Sequence, residues 1–175
     1  EPGRAAGAPA GVLVNQAGGY RLLVTPEQAD SLHFGQLADE IADLMTTNQP
    51  DRALRRCDEA LSLWRGRPYG PMADEEWALA AVARLEEQRR QIQERRIDAL
   101  LALRQAKQAL TDVEALIRES PYNEHTRSQH MLALYQCGRA DDALRAYRDA
   151  REVLLEDIGL EPGAEMQDLQ RRILD

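Results

Sequence analysis

The chain has 175 residues, of which 43% are hydrophobic and 30% charged, and its formal net charge is −8. That length suits one domain, or one domain with a fragment of another, and the acid excess argues against a surface that grips nucleic acid unaided, because phosphate contacts need basic side chains. No apolar run approaches the roughly 18 residues that span a bilayer and no signal peptide opens the sequence, so the expected location is the cytoplasm, with no membrane partner.

The first 24 residues carry two short β-prone runs, Gly11-Val12-Leu13-Val14-Asn15 and Tyr20-Arg21-Leu22-Leu23-Val24. Gln16-Ala17-Gly18-Gly19 between them has the permissive residues of a hairpin turn. A lone hairpin is marginal in water and needs something to pack on. Pro2-Gly3 reads as helix-stop chemistry, with Glu1 the end of a preceding helix, so the chain is expected to begin inside a domain.

Helical periodicity starts at Ser31. Leu32, Leu37, Ile41 and Leu44 mark a first helix ending near Asn48, and Pro50 opens a second that carries Ala53, Cys57, Ala60 and Trp64. Gly66-Arg67-Pro68-Tyr69-Gly70-Pro71 is a loop, and Asp74-Glu75-Glu76 supplies the acid favoured at a helix start. From Trp77 an apolar stripe runs through Leu79, Val82, Leu85, Ile92, Ile97, Leu100 and Leu101, as one long helix or as two joined by a bend. Helices then follow around Ala109-Val113-Leu116, closed by Pro121, over Asn123–Gln136, turned by Gly138, and over Ala140–Leu155. Glu165, Met166, Leu169 and Ile173 fit a last helix that caps the array.

Three of these segments share one column at spacing i, i+4, i+7: Ala53-Cys57-Ala60, Ala109-Val113-Leu116 and Ala143-Tyr147-Ala150. A second column precedes each: Ile41 and Leu44, Ile97 and Leu100, Met131 and Leu134. The later two copies are 34 residues apart, the period of a tetratricopeptide-like helical repeat, and a further loop and helix over residues 66–87 separates the first from the second. The expected fold is therefore all-α, helical hairpins stacked with Ala at each crossing, preceded by a short β-hairpin.

No catalytic constellation stands out. Asp74-Glu75-Glu76 and Asp141-Asp142 sit at helix starts, where acid is expected anyway, and no phosphate loop, nucleophile elbow or Cys/His metal spacing is present. The expectation is no enzyme, no cofactor and no metal. Arg89, Arg90, Arg95 and Arg96 make a basic stretch on the long helix, and Glu86, Glu87 and Glu94 at i±3/4 from the first two make the stretch read as a solvated face. Trp64 and Trp77, flanking the loop, read as residues that pin it to the core. In a stack of this class the first helix of each unit lines the concave surface. That places Glu94, Asp98 and Leu101 with His125, Ser128, Leu132 and Tyr135 as partner-groove candidates, the acid favouring a basic or helical partner segment.

Several signatures in fixed order resemble one family: Glu1-Pro2-Gly3-Arg4, Gly19-Tyr20-Arg21-Leu22, Ala60-Leu61-Ser62-Leu63-Trp64-Arg65-Gly66, Met131-Leu132-Ala133-Leu134-Tyr135-Gln136-Cys137-Gly138-Arg139, Ala143-Leu144-Arg145-Ala146-Tyr147 and Gly159-Leu160-Glu161-Pro162-Gly163. Together they resemble the bacterial transcriptional activation domain of SARP/AfsR-type regulators. The resemblance implies that residues 1–25 are the wing hairpin of an OmpR-like winged helix-turn-helix domain, with Asn15, Gln16 and Arg21 as DNA wing candidates. Residues 31–175 would be the activation domain. It implies DNA as a partner through upstream helices outside this chain, RNA polymerase or a sigma factor as the target of the helical domain, and self-association as a possible homodimer. A peptide-binding scaffold of a signalling protein is the competing reading of the same repeats.

Overall fold

The computed structural model describes residues 13–25 and 28–175. The readings at Glu1, Pro2-Gly3, Arg4 and Gly11-Val12 fall outside the described residues. Two strands, β1 (Leu13–Gln16) and β2 (Gly19–Leu22), pair antiparallel with Leu13 opposite Leu22 and Gln16 opposite Gly19. The turn is therefore the two residues Ala17-Gly18, one position tighter at each side than the sequence suggests, and Gly18 takes φ +97° there, a value only glycine adopts freely. The side chains from Asn15 to Leu23 are exposed, Tyr20 at 76%.

The helices are α1 (Asp30–Thr46), α2 (Pro50–Ser62), α3 (Glu76–Ala102), α4 (Ala106–Glu119), α5 (Glu124–Gln136), α6 (Ala140–Ile158) and α7 (Ala164–Leu174). They pack as antiparallel hairpins α1/α2, α3/α4 and α5/α6, each stacked on the next, with α7 against α5 and α6. The fold is mostly helical and tetratricopeptide-like. Both sequence columns face inward: Ala53, Cys57, Ala60, Ala109, Val113, Ala143 and Ala150 are fully buried, as are Ile41, Leu100 and Met131. Alanine at the crossing lets the paired backbones approach, and larger side chains one turn away fill the remaining volume.

The core runs through the stack as successive clusters, one per repeat. Phe34, Leu37, Ile41, Cys57, Leu85 and Ile92 form the first; Ile97, Leu100, Ala109, Val113 and Leu116 the second; Met131, Leu134, Tyr147, Met166, Leu169 and Ile173 the third. Burial pushes the Cys57 thiol up to about 12, so it behaves as a small packing group rather than a nucleophile.

The turn inside each hairpin repeats as faithfully as the core. Asn48, Arg104 and Gly138 all adopt left-handed φ, at +53°, +59° and +77°. In each case the next residue's N–H donates back to a leucine carbonyl of the preceding helix: Gln49 to Leu44, Gln105 to Leu100 and Arg139 to Leu134. This is a Schellman closure, which satisfies orphan carbonyls at a helix end. Gly138 signals it in the sequence; Asn48 and Arg104 do so less plainly.

Some apolar positions are not where periodicity puts them. Leu32, Trp77 and Leu79 are exposed, at 46%, 65% and 49%, and Phe34 and Ala78 are buried instead, while Val82 is buried as the stripe predicts. Residues 76–102 form a single helix of about 40 Å at 1.5 Å per residue, because no Gly or Pro interrupts it. Its first two turns bury Ala78 and Val82, which pack with Ala73 of the preceding loop, and from Leu85 onward it joins the first core cluster. Trp64 follows the end of α2 and pins that loop, edge-on to Phe34 at 5.5 Å with the Arg89 guanidinium 4.9 Å from its ring. Trp77 does not pin it to the core; it meets Tyr69 edge-on in the open.

The arginine run divides. Arg90 pairs with Glu87 and Glu94 along α3, but Arg96 ties three helices together by donating to Asp58 of α2 at 2.7 Å and to Asp112 of α4. Arg95 donates to the Ala38 carbonyl of α1 at 3.2 Å. The expectation of one solvated face is therefore corrected for Arg95 and Arg96, whose partners lie on other helices.

Candidate partner groove

The first helices of successive units, α3 and α5, meet through side-chain hydrogen bonds as well as apolar contact. Asn123 caps α5 by accepting from the Thr126 N–H at 3.1 Å, and its Nδ2 donates to Glu94 Oε1 at 2.6 Å. The Thr126 hydroxyl and Arg90 also point at that carboxylate, whose side chain is only 13% exposed. Glu94 is thus held inside the α3–α5 joint and offers no free acid to a partner. One turn along, Gln129 Nε2 donates to the Glu94 carbonyl at 2.8 Å and to Asp98 Oδ1 at 2.6 Å, and Gln136 Nε2 donates to the Leu101 carbonyl at 3.3 Å. These bonds fix how far α5 slides along α3.

Beyond the joint, α3, α5 and α7 enclose an open cavity of about 290 Å³. Five of the seven groove candidates line it: Asp98, Leu101, His125, Ser128 and Leu132. Tyr135 does not; it stands 44% exposed one turn past Leu132 on the same face of α5. The third wall is α7, with Glu165, Asp168, Leu169 and Arg172; the sequence reading placed Glu165 and Leu169 in a capping helix and none of the four in the groove. A signal for it exists. Met166 and Leu169 continue the column of Met131 and Leu134 after 35 residues, so α7 takes the place of the first helix of a further unit.

A larger cavity of about 500 Å³ lies at the other end, between the start of α1, the 63–70 loop and α3, lined by Phe34, Leu63, Trp64, Pro68 and Leu85. It is mostly apolar, and its arginines are already paired, Arg65 with Asp30 and Arg67 with Asp74. The smaller cavity is the better candidate for recognition despite its size, because its polar groups converge from three helices. Among the described residues, no group of three His, Cys, Asp or Glu side chains is placed to hold a metal ion. No described helix is long and apolar enough to cross a membrane.

The two histidines of α5 sit in opposite electrostatic settings. Asp98 Oδ2, 3.2 Å from His125 Nε2, holds the imidazolium, so His125 titrates above the ordinary histidine value. Burial pushes His130 below it. The stability due to His125 is complete below its unfolded value and fades as pH rises through the raised folded one. For His130 the folded state favours the neutral ring, so its contribution is present above the unfolded value and fades as pH falls through the depressed folded one. In an NMR titration from acid to base, His130 is expected to lose its proton before His125. Asp98→Asn should bring His125 down and leave His130 in place; reversed order would contradict this geometry.

Comparison with known proteins agrees with the architecture. Residues 29–174 match the family described as the bacterial transcriptional activator domain. The chain is 36% identical over 163 residues to the regulatory protein DnrI of Streptomyces peucetius, covering 93% of this chain and 60% of that protein. It is 33% identical to the regulatory protein AfsR of Streptomyces griseus, covering 93% of this chain and 16% of the relative. A solved structure of Mycobacterium tuberculosis EmbR, in complex with a low affinity phosphopeptide, superposes with a TM-score of 0.85 at 29% identity over 93% of this chain and 43% of that one. The chain thus spans about half or less of several of these regulators. The matched domain is a non-enzymatic module of transcriptional regulators.

Proposed function

Since the chain belongs to the bacterial transcriptional activator domain family, we propose that it serves as the helical activation module of a DNA-binding regulator of the SARP type, acting in the cytoplasm. In this reading residues 31–175 engage RNA polymerase or its sigma factor, and a DNA-binding domain supplies promoter specificity. Two modest contacts made by one tethered molecule raise promoter occupancy beyond either alone. The hairpin fits the wing of that DNA-binding domain, with Asn15, Gln16 and Arg21 exposed along it.

The observation that carries the reading is the cavity shared by α3, α5 and α7. It faces solvent on the first-helix side of the stack, combines Leu101, Leu132 and Leu169 with convergent polar groups, and continues along α5 to the exposed Tyr135. Partner segments dock on surfaces of this composition, where an aromatic anchor sits beside polar groups that fix orientation.

Capture of purified RNA polymerase holoenzyme by the immobilised chain tests it. Tyr135→Ala with Leu132→Ser is expected to weaken capture about tenfold, the effect of losing a central contact of 1–2 kcal/mol. Unchanged capture by folded variants would move the contact off this face. Capture of a second copy in place of polymerase would point to self-association. A peptide-binding scaffold would bind a segment of neither.

A further inference from the structure

The loop between α2 and α3 holds a bulky residue in a conformation that L side chains rarely adopt. Tyr69 takes φ +61°, next to Gly70 at φ +51°. A left-handed φ is an outlier for an aromatic residue and persists only where the surroundings hold it. Glycine would make the same turn without strain, so the tyrosine is explained by its ring and not by the path of the chain. That ring does not serve the core. It is 46% exposed and lies edge-on to the still more exposed Trp77, with ring centroids 5.6 Å apart. Met72, whose N–H donates to the Tyr69 carbonyl at 3.1 Å, is 53% exposed beside them.

Tyr69 also lines the cavity of about 500 Å³, together with Phe34, Leu63, Trp64, Pro68 and Leu85. An apolar hole therefore opens beside an exposed aromatic pair, which differs from the single exposed apolar side chains of an ordinary surface. Tyr and Trp next to a preformed hole are the composition of protein-docking surfaces. Charge selects the occupant. Arg65 and Arg67 at the mouth are paired with Asp30 and Asp74, whereas Glu75 and Glu76, exposed beside Trp77, form no ion pair among the described residues. This surplus acid repels phosphate, so nucleic acid and anionic lipid are poor occupants. A second copy docked through this face across a two-fold axis would set the same acids against each other, in a chain of net charge −8. A basic segment of another protein meets neither objection.

We propose that this face docks a basic protein segment, which places one apolar side chain in the cavity and a neighbouring arginine or lysine over the Trp77 ring, beside Glu75 and Glu76. A cation is attracted to an indole face, and the two carboxylates reinforce that attraction. Tyr69 forms the rim shared by the hole and the Trp77 ring, which accounts for an aromatic residue held at left-handed φ. The surface lies at the other end of the stack from the α3–α5–α7 groove, so both can be occupied at once and each reading stands or falls alone.

The test is an NMR titration of the isotopically labelled chain with acetyl-Arg-Leu-Arg-Arg-Leu-Arg-amide. One control peptide has glutamate in place of each arginine, and the other has serine in place of each leucine. The basic apolar peptide is expected to shift the Trp77 indole N–H and the backbone amides within residues 66–79 saturably, with both controls at least about tenfold weaker. Trp77→Ala is on the surface and should fold normally while binding about tenfold more weakly. Tyr69→Gly separates docking from architecture. Glycine suits φ +61°, so the melting temperature should hold while binding falls about tenfold. A lower melting temperature with binding unchanged would make Tyr69 a structural residue and overturn the proposal. Equal binding of either control peptide, no saturable shift within residues 66–79, or shifts confined to the α3–α5–α7 groove would overturn it too.

Discussion

Ile97→Ala is expected to destabilise the chain by about 2–5 kcal/mol, a large part of the total for a domain of this size. Ile97 is 1% exposed and packs with Leu100, Ala109, Val113 and Leu116 at the middle of the stack. Its helix, α3, also closes the first repeat through Leu85 and Ile92, so the backbone cannot move in on the new cavity without opening the neighbouring cluster. A site that cannot collapse lies toward the upper end of such losses. Urea unfolding followed by circular dichroism measures it, with Leu79→Ala on the same helix as the control. Leu79 is 49% exposed, so its loss should fall within about 0.5 kcal/mol. Equal effects at the two positions would mean that the buried column is not what holds the repeats together.

The contrast between Ile97 and Leu79 also marks what sequence can convey. The crossing column is legible because close helix approach demands a small residue at a fixed step, and Ala53, Ala109 and Ala143 meet that demand in every unit. Leu32, Trp77 and Leu79 have the right spacing but stand in the first turn of their helices and are exposed there. Periodicity reports which face could be buried; what packs against that turn decides whether it is. Phe34 was missed for the related reason that the 63–70 loop folds over it, and loop paths leave no periodic trace.

The groove divides along the same line. Asp98, Leu101, His125, Ser128 and Leu132 could be placed together because repeat register fixes which side of α3 and α5 is concave. The fate of Glu94 could not be, since it depends on Asn123 and Thr126 arriving from the next unit to bind it. Arg96 is equivalent: Asp58 and Asp112, its partners, are 38 and 16 residues away, while the local glutamates made a solvated face look sufficient. Charge pairs within one helix are readable from spacing, whereas those between helices need the fold first. The wall supplied by α7 was hidden by one extra residue in the period.

Deleting Ala164–Asp175 should be the more damaging change, because α7 completes both the core and the groove. Met166, Leu169 and Ile173 are buried in the third cluster against Met131, Leu134 and Tyr147. At about 1.5–3 kcal/mol for each buried apolar side chain, their removal costs roughly 5–9 kcal/mol, comparable with the whole stability of an ordinary domain. The approach to α7 is tied as well: the Gly163 N–H donates to Glu124 Oε2 at 2.5 Å, and a Cβ at Gly163 would come within 3.1 Å of that oxygen. A side chain at residue 163 would therefore require the Glu124 carboxylate to give by a few tenths of an ångström. The truncated chain is expected to melt well below the intact one and to expose apolar surface that associates on gel filtration. In a linear array the damage should begin in α5 and α6 and spread inward, so amide exchange should rise there before it rises in α1 and α2. Met166→Asp, which keeps the chain length and loses the packing, should reproduce the pattern at smaller amplitude. Unchanged melting of the truncated chain would show that the third cluster closes without α7, and the groove would then have only two walls.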